Sequence, residues 1–318
     1  MRDSNIEWTH HTFNPWIGCT KIGPGCNHCY AERHDARFGG GHWGAGAPRR
    51  RTSAANWNEP LRWQREAVQS GRRLRVFCAS LADVFDAEVD PAWRVDLWDL
   101  IRQCTALDWI IVTKRIGNAR RMLPADWGGG WSHVWLLATV TNQAEADRDV
   151  PKLLDMPAQT RGLSIEPMLG QIDLSEHGLH GGPGQLDWVI AGGESGPDAR
   201  PMHPQWVSSV RDQCAAAGCA FFFKQWGEWA PRGLNLMANG TDASVVDPRC
   251  KRWKQIIRLT ESGKNGRYTE NYDGGEDRFM QRVGRALAGR RLWDGQMPLS
   301  EHCQTHDAFP VGTAEHMT

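Results

Sequence analysis

Six short apolar runs, spaced along the chain, constrain its fold more than any other feature. They are Arg75–Ser80, Trp109–Thr113, Val134–Val140, Gly162–Ile165, Leu186–Ala191 and Ala220–Lys224. Each is brief, apolar on both faces and bounded by polar or glycine residues, which is how a parallel strand covered on both sides reads. Helical stretches lie between them, such as Pro91–Cys104, where Pro91 suits a first helical position, and His203–Ala217. This alternation predicts βα units and a parallel sheet. With one more short strand ahead of Cys19, the runs fit an α/β fold of the complete or partial (β/α) TIM-type barrel kind better than a sandwich.

In such a barrel the residues just after each strand gather on one face, where barrel enzymes work. Here those residues are Ser80-Leu81-Ala82-Asp83, Thr113-Lys114-Arg115, Thr139-Val140-Thr141-Asn142, Ser164-Ile165-Glu166-Pro167, Gly192-Gly193-Glu194-Ser195-Gly196 and Lys224-Gln225-Trp226-Gly227. Polar or charged side chains occur at every strand end. A competing reading is that a polar residue closing a strand caps the next helix. The pair Gly192-Gly193 lets a backbone approach a ligand closely, although tight strand-to-helix turns use the same residues.

The first strand end is a loop with three cysteines, Cys19, Cys26 and Cys29, in the segment NPWIGCTKIGPGCNHCYAE. Three thiolates on one flexible loop can hold three corners of an iron–sulfur cube and leave the fourth iron open to a small molecule. Zinc is the alternative, with His10, His11, His28 or His34 as a fourth ligand. A disulfide is not expected. Nine cysteines is an odd number, and Met1-Arg2-Asp3-Ser4 leads into polar sequence with no export signal, so a cytoplasmic location is expected. No stretch reaches the ~18 apolar residues of a membrane span, so no membrane partner is expected. Cys78, Cys104, Cys214, Cys219, Cys250 and Cys303 form no compact motif and read as small buried hydrophobes.

Charge announces no partner: 37 basic and 37 acidic side chains cancel, whereas phosphate binding calls for a basic face. Local candidates remain in Arg49-Arg50-Arg51, after the glycine-rich Gly39–Gly46, and in the arginines of Glu276–Leu292, a segment with helical spacing. Tryptophan is abundant, 17 against three tyrosines. Trp16, Trp226 and Trp229 stand beside polar loops, where they could stack on a planar ligand, with core packing as the competing role.

The segments NPWIGCTKIGPGCNHCYAE, VFCASLADVF, WIIVTKR, RGLSIEPMLG, DWVIAGGESGPDARPM, FFFKQWG and GRALAGRRLWDG, in this order from about residue 8 to about 295, resemble an uncharacterised phage-associated family. That family carries a three-cysteine motif, is placed near the radical S-adenosylmethionine enzymes, and is distantly similar to spore photoproduct lyase. The resemblance implies a partial (β/α) barrel with a 4Fe–4S cluster on Cys19, Cys26 and Cys29. It also implies S-adenosylmethionine on the open iron and a one-electron donor such as flavodoxin or ferredoxin. Nucleic acid, DNA or RNA, or a modified nucleotide is the implied substrate. A peptide or small metabolite is one alternative, and a non-catalytic zinc-stabilised nucleic-acid-binding module is another.

Two features depart from the superfamily pattern. Six residues separate Cys19 from Cys26 where three are usual, and Gly-Gly-Glu follows a later strand than expected. Ser80 and Asp83 occupy the expected place and are assigned the methionine amino group. Lys114 is assigned the carboxylate as a point charge, and Thr139, Thr141 and Asn142 the ribose hydroxyls. Glu166, Gly192, Gly193, Glu194, Arg200, Lys224, Gln225 and Trp226 are the substrate-side candidates. The organisation expected is a barrel over residues 1–233, a C-terminal extension over 234–299 with a strand pair near Trp253–Leu259, and a polar tail over 300–318.

Overall fold

The computed structural model describes residues 4, 6–179, 185–231 and 280–282. They fall into two compact units. One holds the chain through Val140 together with Asp147–Ser164, and the other holds Thr141–Ala146 and nearly all described residues from Ile165 on.

The first stretch of chain runs through β1 (His11–Phe13), β2 (Trp16–Ile17), α1 (Tyr30–Arg37), β3 (Arg50–Arg51), α2 (Ala54–Ser70), β4 (Leu74–Cys78), α3 (Pro91–Gln103), β5 (Leu107–Thr113), α4 (Ile116–Ala119), β6 (Val134–Thr139), α5 (Gln143–Leu154) and β7 (Thr160–Ile165). Strands β1, β4, β5, β6 and β7 pair side by side in that order, all parallel. One register row runs Thr12, Phe77, Ile110, Trp135, Thr160. All six residues of β6 are buried, as are Trp109, Ile110 and Ile111 in β5. Burial on both faces is why these strands are apolar without alternation. The mixed α/β class with parallel strands is therefore as the sequence predicts.

Helix ends follow local chemistry. Asp90 caps α3 by accepting a hydrogen bond from the Ala92 amide, with Pro91 at the first position. Ser53 caps α2 through the Asn56 amide, and Gly71 ends it at φ +67°. Trp98, Trp127 and Trp131 pack ring against ring, which places part of the tryptophan content in the interior.

In the second unit β8 (Trp188–Gly192), α6 (Pro204–Ala217) and β9 (Ala220–Gln225) form a parallel βαβ unit, irregular at Ala191/Gly192. A short strand β10 (Trp229–Pro231) then pairs antiparallel with β11 (Met280–Arg282). Helical spacing across Glu276–Leu292 is thus overridden at Met280–Arg282, where pairing with a strand partner outweighs a weak local preference. The rest of that segment, the expected pair at Trp253–Leu259 and the tail from Ser300 lie outside the described residues. Among the described residues no helix is long and apolar enough to cross a membrane.

Candidate cysteine-loop site

Strand β2 delivers the chain into Gly18 and Cys19. Gly18 has φ +115°, and a β-carbon there would lie 2.3 Å from the His42 carbonyl oxygen, so only glycine fits without displacing its neighbour. Its amide donates to the Leu81 carbonyl at 3.1 Å, and the Cys19 carbonyl accepts from the Gly44 amide at 2.9 Å. Cys26 ends a single 3₁₀ turn, Pro24–Cys26, and Cys29 stands at the N-terminal cap of α1. Cys26 is buried, Cys19 and Cys29 half-buried, and all three are free thiols.

A charged network backs the loop. Arg115, just after β5, places Nη1 3.4 Å from Cys19 Sγ and donates from Nη2 to the Thr20 carbonyl at 2.5 Å. Its guanidinium lies 3.6 Å from Asp83 and 3.9 Å from Asp86. Burial opposes that charge, but Cys19 when ionised, together with Asp83 and Asp86, overcomes it and holds the guanidinium above its ordinary value. Burial, and then Asp83, push the Cys19 thiol up to about 12, against the pull of Arg115. Cys19 without a metal is thus a thiol, and metal charge would remove its proton.

The donor set suits an iron–sulfur group in its chemistry: three free thiols on one loop, one of them facing a guanidinium N–H of the kind that ligand sulfur accepts. Among the described residues no three His, Cys, Asp or Glu side chains form a group that could hold a metal ion as they stand. Two of the histidines considered for zinc have other engagements. His10 Nδ1 accepts from the Arg75 amide, and His11 stacks on Trp63 at 4.4 Å.

The residues nominated for S-adenosylmethionine are placed as follows. Ser80 Oγ accepts from Asn14 at 3.0 Å, and its carbonyl accepts from the Tyr30 hydroxyl at 2.7 Å. Asp83 is buried and accepts from the Phe85 amide, the Thr113 hydroxyl and the Lys114 amide at 2.9, 2.7 and 3.0 Å. Thr139 ends β6, buried opposite Ser164. Thr141 and Asn142 belong to the cap of α5: Glu145 accepts from the Thr141 amide and hydroxyl, and Asn142 Oδ1 accepts from the Glu145 amide.

In the second unit Lys224 Nζ lies 2.7 Å from Glu166 Oε1. A β-carbon on Gly192 would meet that same oxygen at 3.0 Å and the Gln225 side chain at 3.4 Å, so these four residues adjoin. Gly193 has a different neighbour, the Trp226 carbonyl, which a β-carbon would approach to 1.9 Å. Its glycine is explained by backbone meeting backbone. Glu194 is buried and clamped by Arg200, whose amide and Nε donate to Oε2 and whose Nη2 donates to Oε1. Gln225 donates to the Gly193 carbonyl and to Ser195 Oγ.

Two expectations need correction. Arg49 is no phosphate contact in an open loop. Its side chain is 1% exposed, paired with Asp86 at 2.8 Å and donating to the His42, Gly44 and Ala47 carbonyls. Arg51 pairs with Asp96 and lies 4.1 Å over the Trp57 ring. Of the tryptophans proposed to stack on a ligand, Trp16 and Trp229 are buried and so are not placed to stack on one; Trp226 stays half-buried, with Ala199, Trp229 and the edge of Phe223 against it. Arg115 and Asp86 are site residues that the sequence does not single out. The only available signal for Arg115 was a charged pair after a strand, which does not tell which side chain turns inward.

A family model described as a protein of unknown function (DUF5131) matches residues 3–304. No curated protein matches the chain, and no solved structure matches it.

Proposed function

The chain belongs to this family of proteins of unknown function, and we propose that it is a radical S-adenosylmethionine enzyme. One observation carries the reading: three free thiols on a single loop, backed by the Arg115 guanidinium, beside the C-terminal ends of parallel strands. A 4Fe–4S cluster on Cys19, Cys26 and Cys29 would supply the electron that cleaves S-adenosylmethionine and yields a 5′-deoxyadenosyl radical for hydrogen abstraction. The strands, on this reading, are those of a partial (β/α) barrel, with an external one-electron donor.

The chain's own residues have three tasks in it. The cysteine loop binds metal. Ser80 and Asp83 bind the amino group of the cofactor and Lys114 its carboxylate, and Asp83 also holds the Thr113–Lys114 turn in place. Glu166 and Lys224, with Gln225, orient the substrate. A nucleotide or nucleic acid is the substrate that the resemblance implies. The ion pairs favour a second substrate class, a peptide or small metabolite, because Arg49, Arg200 and Lys224 each face a carboxylate instead of standing ready for phosphate.

Anaerobic reconstitution with iron and sulfide, followed by reductant and S-adenosylmethionine, tests the reading. Release of 5′-deoxyadenosine is expected. One zinc per chain, with neither colour nor deoxyadenosine, would establish the zinc-stabilised module instead.

A further inference from the structure

Resting on the cluster reading, we propose that Arg115 is a positioning residue that fixes Cys19 and raises the reduction potential of the cluster it ligates. The guanidinium is a fork with its two ends on consecutive residues: Nη1 is 3.4 Å from Cys19 Sγ and Nη2 is 2.5 Å from the Thr20 carbonyl oxygen. Its root is fixed too, since the Arg115 amide donates to Thr113 Oγ1 at 2.8 Å. The side chain is 8% exposed, so little water screens it.

Two carboxylates share this charge, neither of them at hydrogen-bond distance. Asp83 lies at 3.6 Å and is taken up by three other donors, while Asp86 lies at 3.9 Å and is paired with Arg49 at 2.8 Å. The closest sulfur acceptor for the fork is therefore Cys19. A donor N–H and a positive charge beside a ligand sulfur stabilise the electron-richer form of a cluster and so raise its potential. Lysine would keep the charge but lose the two-ended grip.

The test uses full-length protein reconstituted anaerobically without S-adenosylmethionine, so that no turnover enters the readout. Iron and sulfide content, a redox titration followed by electron paramagnetic resonance, and the rate at which a chelator removes iron are measured for wild type, Arg115→Gln and Arg115→Lys. Arg115→Gln should have a more negative midpoint potential than wild type, with Arg115→Lys between them. Both variants should lose iron to the chelator faster, by about tenfold for the glutamine. If Arg115→Gln fails to fold, Arg115→Lys decides: circular dichroism like wild type with faster iron loss supports the role. A folded variant matching wild type in both midpoint and iron loss overturns it. Wild type that takes up no iron and sulfide defeats the cluster reading itself, and the role of Arg115 with it.

Discussion

Lys224 Nζ and Glu166 Oε1 stand 2.7 Å apart, a pair that joins the end of β7 to β9 within one unit. The two side chains are 30% and 15% exposed, so solvent weakens the attraction without removing it. A double-mutant cycle with Lys224→Met and Glu166→Gln should give a coupling of about 1 kcal/mol in urea unfolding. Additive effects would mean that the pair is not formed in solution.

The thiols divide by environment. Cys19→Ala, Cys26→Ala and Cys29→Ala should each reduce bound iron and sulfide sharply after reconstitution. Cys104→Ala, at a fully buried position where burial pushes the thiol up to about 12, should retain them. Iron content per chain is the measurement, and equal iron in all four variants would sink the assignment.

Asp83→Ala removes the acceptor for three donors in a buried place. It should lower stability by about 3 kcal/mol, with Asp83→Asn costing less. Cofactor affinity in the alanine variant should be compared only under conditions where circular dichroism shows it folded. A midpoint of urea unfolding equal to wild type would contradict the hydrogen bonding described.

Removing Arg49 takes from Asp86 its closest cation and opens the segment that packs on Cys19. Arg49→Met should cost about 3–5 kcal/mol, as for the breaking of a buried pair. Any salt dependence of nucleic-acid binding should keep its slope in this variant, since a buried arginine releases no counterions. A flattened slope with unchanged stability would restore Arg49 as a phosphate contact.

His133 offers a pH test. Burial lowers its pKa, against a hydrogen bond between its ring and the Ile101 carbonyl that raises it. The folded ring therefore resists protonation while the unfolded ring takes a proton near the ordinary value of about 6.5. The unfolded state binds more protons below that pH, so this group's effect on stability is nil above it and grows unfavourable as pH falls from it. His133→Phe should flatten the decline in urea midpoint between about pH 6.5 and 5. An unchanged slope would assign the acid sensitivity elsewhere.

The strands were legible because burial on both faces leaves an apolar run that polar ends bracket. The expected Trp109–Thr113 became Leu107–Thr113, and Leu186–Ala191 became Trp188–Gly192. Helix α2 is hidden in the sequence, since Pro60 inside it and a run of polar residues resemble a break. At the site, the cysteines stand out by residue type alone. Arg115 does not, because its meaning lies in a contact with residue 19, ninety-six positions earlier. Arg49 is concealed for a related reason: a run of arginines suggests exposure, and only packing reveals that one of them has turned inward.

The crossing of backbones at Gly193 and Gly227 bears on how this protein could be re-engineered. A β-carbon on Gly193 would lie 1.9 Å from the Trp226 oxygen, and one on Gly227 would lie 2.1 Å from the Glu194 oxygen. Neither obstruction is a flexible side chain, so neither can step aside. A randomised library aimed at changing what the molecule accepts would waste most of its members at these two positions. The same diversity spent at Glu166 and Lys224, whose paired side chains adjoin Gly192, would vary side chains and leave the crossed main chain as it is.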